Sequence, residues 1–272
     1  MTASASTTAS DRTTAGEASV VVVTGGNEGI GHGLVRTLLA DGFRVAVFDI
    51  DTSNLAELSD QYPDRLAVVR CDLTDTEAVE SAVENVLDRW KRIDVLVNNA
   101  GVFRFGLIED RTLADTEAEF AVNYFGTLRT IHAVLPHMRA RGSGVVHNVS
   151  SGVGPVGHPG LSGYASTKGA IESLTRSLQF ELHGENVWCT VMYPSLAGTR
   201  SATRLGYPTS AMDDPDEVGR KLASQITATG PVIYADWKTR LGVALTKRLP
   251  WLIRRGTRWV DELDPETVNV IK

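Results

Sequence analysis

Cysteine is scarce in this chain, at two in 272 residues. Cys71 and Cys189 have no partners at metal-ligand spacing, which argues against a disulfide-stapled scaffold and a zinc cluster, so no metal is expected. They read as reduced, buried thiols of a cytoplasmic protein. Long apolar runs are missing too: none reaches the ~18 residues needed to span a bilayer. Positive charge is not in excess, because 27 basic residues face 33 acidic ones for a net charge of −6. With no basic stripe through the main body, nucleic acid is not an expected partner. Residues Met1 to Ala18 are mostly Thr, Ala and Ser, lack the apolar core of a secretory signal, and carry Asp11 and Glu17 against a transit peptide. They read as a disordered tail, residues 1–18.

What is present is regular. Val20 to Val23 is a short β-branched run, the mark of a strand buried on both faces. It runs into Thr24-Gly25-Gly26-Asn27-Glu28-Gly29-Ile30-Gly31 and then a helical pattern through Leu34, Val35, Leu38 and Leu39, stopped by Gly42. Strands follow at Arg44 to Phe48, Leu66 to Val69, Ile93 to Val97, Gly144 to Val149 and Val187 to Met192, with a short edge strand at Val232 to Tyr234. Between them lie helical stretches, including one to Trp90 with a Thr74/Glu77 capping box, one over Asp115 to Met138, one from Tyr164 to His183 and one over Pro215 to Thr229. Unbroken alternation predicts an α/β fold: a single Rossmann-like, doubly wound parallel sheet with helices on both faces, over residues 19–272. Right-handed crossovers put every strand's carboxyl end on one edge, where ligands of such sheets bind. Gly25 to Gly31, Asp49, Asp72, Asn98 to Gly101 and Ser150-Ser151 all fall at strand carboxyl ends.

Each of these stretches suits a chemistry. The glycine turn brings backbone N–H groups and a helix N-terminus to an anionic pyrophosphate, although its G-x-x-x-G-x-G spacing is not the commoner G-x-G-x-x-G. Asp49 is placed to accept hydrogen bonds from ribose hydroxyls and to repel a 2′-phosphate, and Glu28 adds repulsion, so NAD is favoured over NADP. Tyr164 and Lys168 stand four apart on one helix face. A nearby cation would lower a phenol pKa from about 10 and make it a usable acid or base.

These residues resemble the classical short-chain dehydrogenase/reductase family from about Val20 to Thr199. The matching stretches are Thr24 to Gly31, Asn98-Asn99-Ala100-Gly101, Asn123, Asn148-Val149-Ser150-Ser151 and Tyr164-Ala165-Ser166-Thr167-Lys168. The resemblance implies that Tyr164 is the acid/base, that Lys168 lowers its pKa and holds the nicotinamide ribose, and that Ser151 rather than Ser150 bonds the substrate oxygen. It also implies that Asn123 holds a water on a proton path. Asp72 and the Leu73 backbone would contact adenine, Asn99, Ala100 and Gly101 the adenosine ribose, and Thr199 and Pro194 the nicotinamide end. Where the family usually reads Pro-Gly, this chain has Pro194-Ser195, which narrows the pocket or restrains the loop.

The implied activity is NAD(H)-dependent interconversion of a secondary alcohol and a ketone. An NADP-linked carbonyl reductase and a non-catalytic NAD-binding sensor or scaffold are the alternatives. Phe103, Val153, Val156, Tyr193, Leu196, Leu205 and Tyr207, with a substrate loop near 195–214, suggest a bulky hydrophobic substrate. His158 reads as a solvated loop histidine. Residues 235–272 form a basic, aromatic extension including Lys247, Arg248, Trp251, Arg254, Arg255, Arg258 and Trp259, more suited to a partner subunit or solvent than to a membrane. Small residues on the Tyr164 helix permit close packing, and the family resemblance implies a homodimer or homotetramer.

Overall fold

The four valines of Val20–Thr24 (β1) alternate between two apolar layers. Val20 and Val22 pack with Ala46, Phe48, Val83 and Val134 on one side, and Val21 and Val23 with Val45, Val47, Leu34 and Leu222 on the other. A strand clothed on both faces needs helices above and below it, and that is the architecture found. The computed structural model describes residues 18–203, 210, 212–249 and 251. Leu205, Tyr207, the tail before Ala18 and the basic residues from Arg254 onward lie outside them.

Beside β1 run Arg44–Asp49 (β2), Leu66–Arg70 (β3), Val95–Asn98 (β4), Gly144–Val149 (β5), Val187–Tyr193 (β6) and Val232–Tyr234 (β7). All pairs are parallel, in the order β3-β2-β1-β4-β5-β6-β7. The chain reverses its direction of travel across the sheet between β1 and β4, which opens a crevice at their carboxyl ends. The helices are Gly29–Ala40 (α1), Ala56–Gln61 (α2), Thr76–Trp90 (α3), Leu113–Phe120 (α4), Thr127–Arg141 (α5), Ser162–Glu181 (α6), Arg200–Thr203 (α7), Pro215–Ala223 (α8) and Trp237–Arg248 (α9).

Three local expectations need correction. The cap of α3 is Asp75, whose carboxylate accepts from the Glu77 and Ala78 amides, while Thr74 turns back to donate to Asp72. Asp75 stands one residue closer to the first turn and, as a short acceptor, serves it directly. The long helix expected over Asp115 to Met138 is two helices joined through a wide π turn, Ala121–Gly126. Periodicity does not reveal such a turn, because one extra residue leaves the apolar pattern nearly intact. Finally, α8 stops at Ala223, six residues before the expected end at Thr229.

Candidate active site

At the end of β1 the chain makes its glycine turn because nothing larger fits. A Cβ on Gly25 would sit 2.7 Å from the Ala100 Cα, and one on Gly31 would run into the Gly25 carbonyl oxygen. Gly29 has φ +58°, the left-handed region, and packs on the Thr199 methyl. Glu28 precedes α1 without capping it, and no acidic residue stands in its first turn. The uncapped amides of Gly29, Ile30 and Gly31 therefore form a cradle for a phosphate-bearing ligand.

Neighbouring side chains hold this turn. Asn99 donates to the carbonyls of Thr24 and Gly25, and the Thr24 hydroxyl accepts from the amides of Asn99 and Ala100. Asp49 accepts from the Asn27 amide at 2.9 Å, and the Asn27 side chain accepts from Asn54. Asn27, Asp49 and Asn99 thus scaffold the cradle as well as bordering it. Burial raises the Asp49 pKa, against the backbone bonds that lower it. Glu28 pairs with Arg200 at 3.3 Å. Asp72 caps its own turn by accepting from the Thr74 amide, beside buried Leu73.

The two serines after β5 diverge. Ser150 is buried and donates to Glu172 at 2.9 Å, whereas the Ser151 hydroxyl lies beside the Tyr164 phenol and lowers its pKa. The structure thereby separates a packing serine from one beside the acid/base candidate. Lys168 is buried and donates to the Val149 carbonyl at 2.9 Å, with its Nζ 5.6 Å from the Tyr164 ring centre. Burial depresses Lys168 to about 8. The same burial pushes Tyr164 up to about 12, opposed by the Ser151 hydroxyl and reinforced by the Glu119 charge. The expected lowering of the phenol is not what this site shows, because desolvation outweighs its polar neighbours.

Asn123, on the π turn, is fully buried and clamps the Val102 backbone by accepting from its N–H and donating to its C=O, both at 2.8 Å. A Cβ on Gly101 would lie 3.4 Å from the Lys168 ammonium and 3.5 Å from Asn123 Oδ1, so these three meet just beyond the carboxyl end of β4. Sequence reasoning missed the buried pair behind Tyr164: Glu119 accepts from Arg111 at 2.5 Å and from the Arg104 amide at 2.7 Å.

Ser151 and Tyr164 share the wall of a cavity of about 520 Å³. Ile30, Pro194 and Thr199 join it to the glycine cradle, and Phe103, Val153 and Leu196 line it as expected. Val156 and Tyr193 are not among its walls; Tyr193 is buried and stacks on Tyr234. His158 is in the wall, with Nδ1 2.6 Å from the Pro159 carbonyl and its pKa lowered by burial, so it is not the solvated residue expected. Thr239, Gly242, Val243 and Thr246 of α9 also line it. Their distance in sequence from Tyr164 hid them, although their i, i+3, i+4, i+7 spacing marks one helix face.

This assembly matches a family model described as short chain dehydrogenase over residues 19–207. The chain belongs to the short-chain dehydrogenase family. It is 34% identical to a 2-(R)-hydroxypropyl-CoM dehydrogenase of Xanthobacter autotrophicus, over 66% of this chain and 75% of that one. With a 3-oxoacyl-[acyl-carrier-protein] reductase FabG of Thermotoga maritima it shares 32% identity, over 81% and 97% of the two chains. A short-chain dehydrogenase structure from Streptomyces avermitilis superposes with a TM-score of 0.77 at 28% identity, covering 91% of this chain and 98% of that one. A 3-ketoacyl-(acyl-carrier-protein) reductase of Brucella melitensis complexed with NADH does so with a TM-score of 0.73 at 25% identity, covering 80% and 96%. As a short-chain dehydrogenase the protein is an oxidoreductase that takes a nicotinamide dinucleotide, and the cradle, built for a phosphate-bearing ligand, fits that group. Among the described residues no helix is long and apolar enough to cross a membrane, and no cluster of His, Cys, Asp and Glu could hold a metal ion.

Proposed function

We propose that this short-chain dehydrogenase interconverts a bulky, uncharged secondary alcohol and its ketone with NAD(H), and that Tyr164 moves the proton. The observation that carries the reading is the Ser151 hydroxyl and the Tyr164 phenol side by side in the wall of a cavity whose lining has no Asp, Glu, Lys or Arg among the described residues. Such a wall suits an apolar carbonyl compound and leaves an anionic one without a counter-charge.

The dinucleotide supplies or accepts the hydride when bound. Ser151 donates to the substrate oxygen, where negative charge develops during reduction. Tyr164 gives that oxygen its proton, and with a phenol held near 12 it stays protonated at neutral pH. Lys168 behind it supplies positive charge below about pH 8, and Asn123 holds the Val102 backbone, keeping the Lys168 side of the site in shape.

NAD rather than NADP is favoured by Asp49 at the end of β2, with the acid Glu28 beside it. Arg200, the cation near the turn, is already engaged by Glu28. NADH bound to the Brucella relative supports the same choice. Exposed Leu113, Phe125 and Phe180 on α4, the π turn and α6 support association as a homodimer or homotetramer. Fluorescence titration with NADH and NADPH, followed by a screen of neutral ketones at the nicotinamide absorbance, tests the reading. Equal affinity for both dinucleotides would overturn the cofactor assignment, and turnover of charged ketones alone would overturn the substrate class.

A further inference from the structure

Ser195 stands where the family's usual residue is glycine, and its hydroxyl has a partner. It donates to Asp213 at 2.7 Å. The same Asp213 oxygen accepts from Lys221 at 3.0 Å, and Lys221 also reaches Asp236 at 3.0 Å. Asp236 in turn caps α9, accepting from the Thr239 amide and hydroxyl at 2.8 Å. This polar string therefore runs from the cavity floor at Pro194-Ser195, through Asp213 ahead of α8 and Lys221 in its last turn, to the first turn of α9. The other end of α9 is held separately. Lys247 lies 3.4 Å from the Tyr193 hydroxyl and 4.0 Å from buried Glu172, the residue that also receives Ser150.

Between these fastenings α9 gives the cavity Thr239, Gly242, Val243 and Thr246. The Thr239 hydroxyl is committed to Asp236 and that of Thr246 to the Gly242 and Val243 carbonyls. The helix therefore offers the substrate no free donor hydrogen. Gly152, next to Ser151, faces this wall: a Cβ there would come 4.0 Å from a Val243 methyl. At Gly242, by contrast, a Cβ would meet nothing within 4 Å. A glycine in mid-helix is unfavourable relative to alanine, so open space at that point calls for a use.

We infer that α9 is the wall that sizes the substrate's remote, apolar end, that Gly242 leaves the opening at its rim, and that Ser195, Asp213, Lys221 and Asp236 are positioning residues that fix this wall relative to Ser151. The ionised string is consistent with its partners, which raise Lys221 and hold Asp213 and Asp236 low, Asp236 to about 2. The inference rests on the ketone reductase reading, and two neutral cyclic ketones of different bulk, cyclopentanone and cyclododecanone, separate the two.

With NADH in excess, Gly242→Leu should lower the kcat/KM ratio of cyclododecanone to cyclopentanone by at least about tenfold, as one displaced group in an apolar pocket does. Gly242→Ala should give an intermediate ratio. A melting temperature at or above that of the unaltered protein, as expected for loss of a helical glycine, distinguishes filling from misfolding. Lys221→Met should raise KM for cyclododecanone with kcat held within about twofold, and Lys221→Arg should restore it. An unchanged ratio in folded Gly242→Leu overturns the wall, and an unchanged KM in Lys221→Met overturns the strut. Failure of the unaltered protein to reduce either ketone would overturn the underlying reading and this inference with it.

Discussion

Substituting Asn148 should unfold this protein more readily, though the residue lies outside the cavity. Asn148 and Asn98 are fully buried neighbours on β5 and β4, joined by a 2.8 Å bond from the Asn98 amide to the Asn148 carbonyl oxygen. Thr130 of α5 donates to Asn98 at 2.6 Å, and Asn148 donates to Thr175 of α6 at 2.9 Å. In Asn148→Ala the Asn98 N–H loses its acceptor, a cost of about 1–3 kcal/mol for a buried donor. The vacated space adds about 1 kcal/mol, for a total of about 2–4 kcal/mol. Thr175 adds little, because its hydroxyl still donates to the Ile171 carbonyl. Urea unfolding measures this: with an m-value near 3 kcal/mol/M, the midpoint should fall by about 1 M at unchanged m. Asn98→Ala should cost a similar amount. The double variant should cost about 1–2 kcal/mol less than the sum, since neither partner is then left unpaired. Single losses below about 1 kcal/mol, or strict additivity, would refute the idea that this ladder ties four elements together.

Three further outcomes are expected. Tyr164→Phe should lower kcat about 10²–10⁴-fold with NADH binding retained, and an unchanged kcat would remove Tyr164 from the chemistry. Ser151→Ala should cost activity in the same way, whereas Ser150→Ala should act mainly on stability by depriving buried Glu172 of its donor; equal kinetic effects of the two would contradict the assignment. His147 is fully buried, with Nε2–H donating to the Ile226 carbonyl and Nδ1 accepting from Thr190, and burial lowers its pKa to about 4. Below its unfolded value near 6.5 the unfolded chain binds the proton first. Stability should therefore fall by about 3 kcal/mol as pH drops from 6.5 to 4. His147→Gln should flatten this stretch of the stability curve, measured by urea unfolding at each pH.

The alternation of apolar strands with helical stretches made the parallel sheet legible, because each valine run demands cover on both faces. The strand-end placement of the glycine turn, Asp49 and Asn98 to Gly101 made the binding edge legible for the same reason: topology alone brings carboxyl ends together. Spacing also put Tyr164 and Lys168 on one face of α6. What spacing does not carry is the direction of a neighbouring hydroxyl or the solvent it displaces. Only the packed chain turned Ser150 towards Glu172 and Ser151 towards Tyr164, and only burial drove the phenol up where a bare Tyr–Lys pair predicts it should fall. Asn98 and Asn148, conspicuous in the motifs, proved to be a buried ladder. The substrate wall was equally hidden, since α9 reaches the cavity through a fold that joins residues some 80 positions from Tyr164. Local pattern sets which elements form and which faces are apolar. Desolvation and the meeting of distant side chains exist only once those elements have packed.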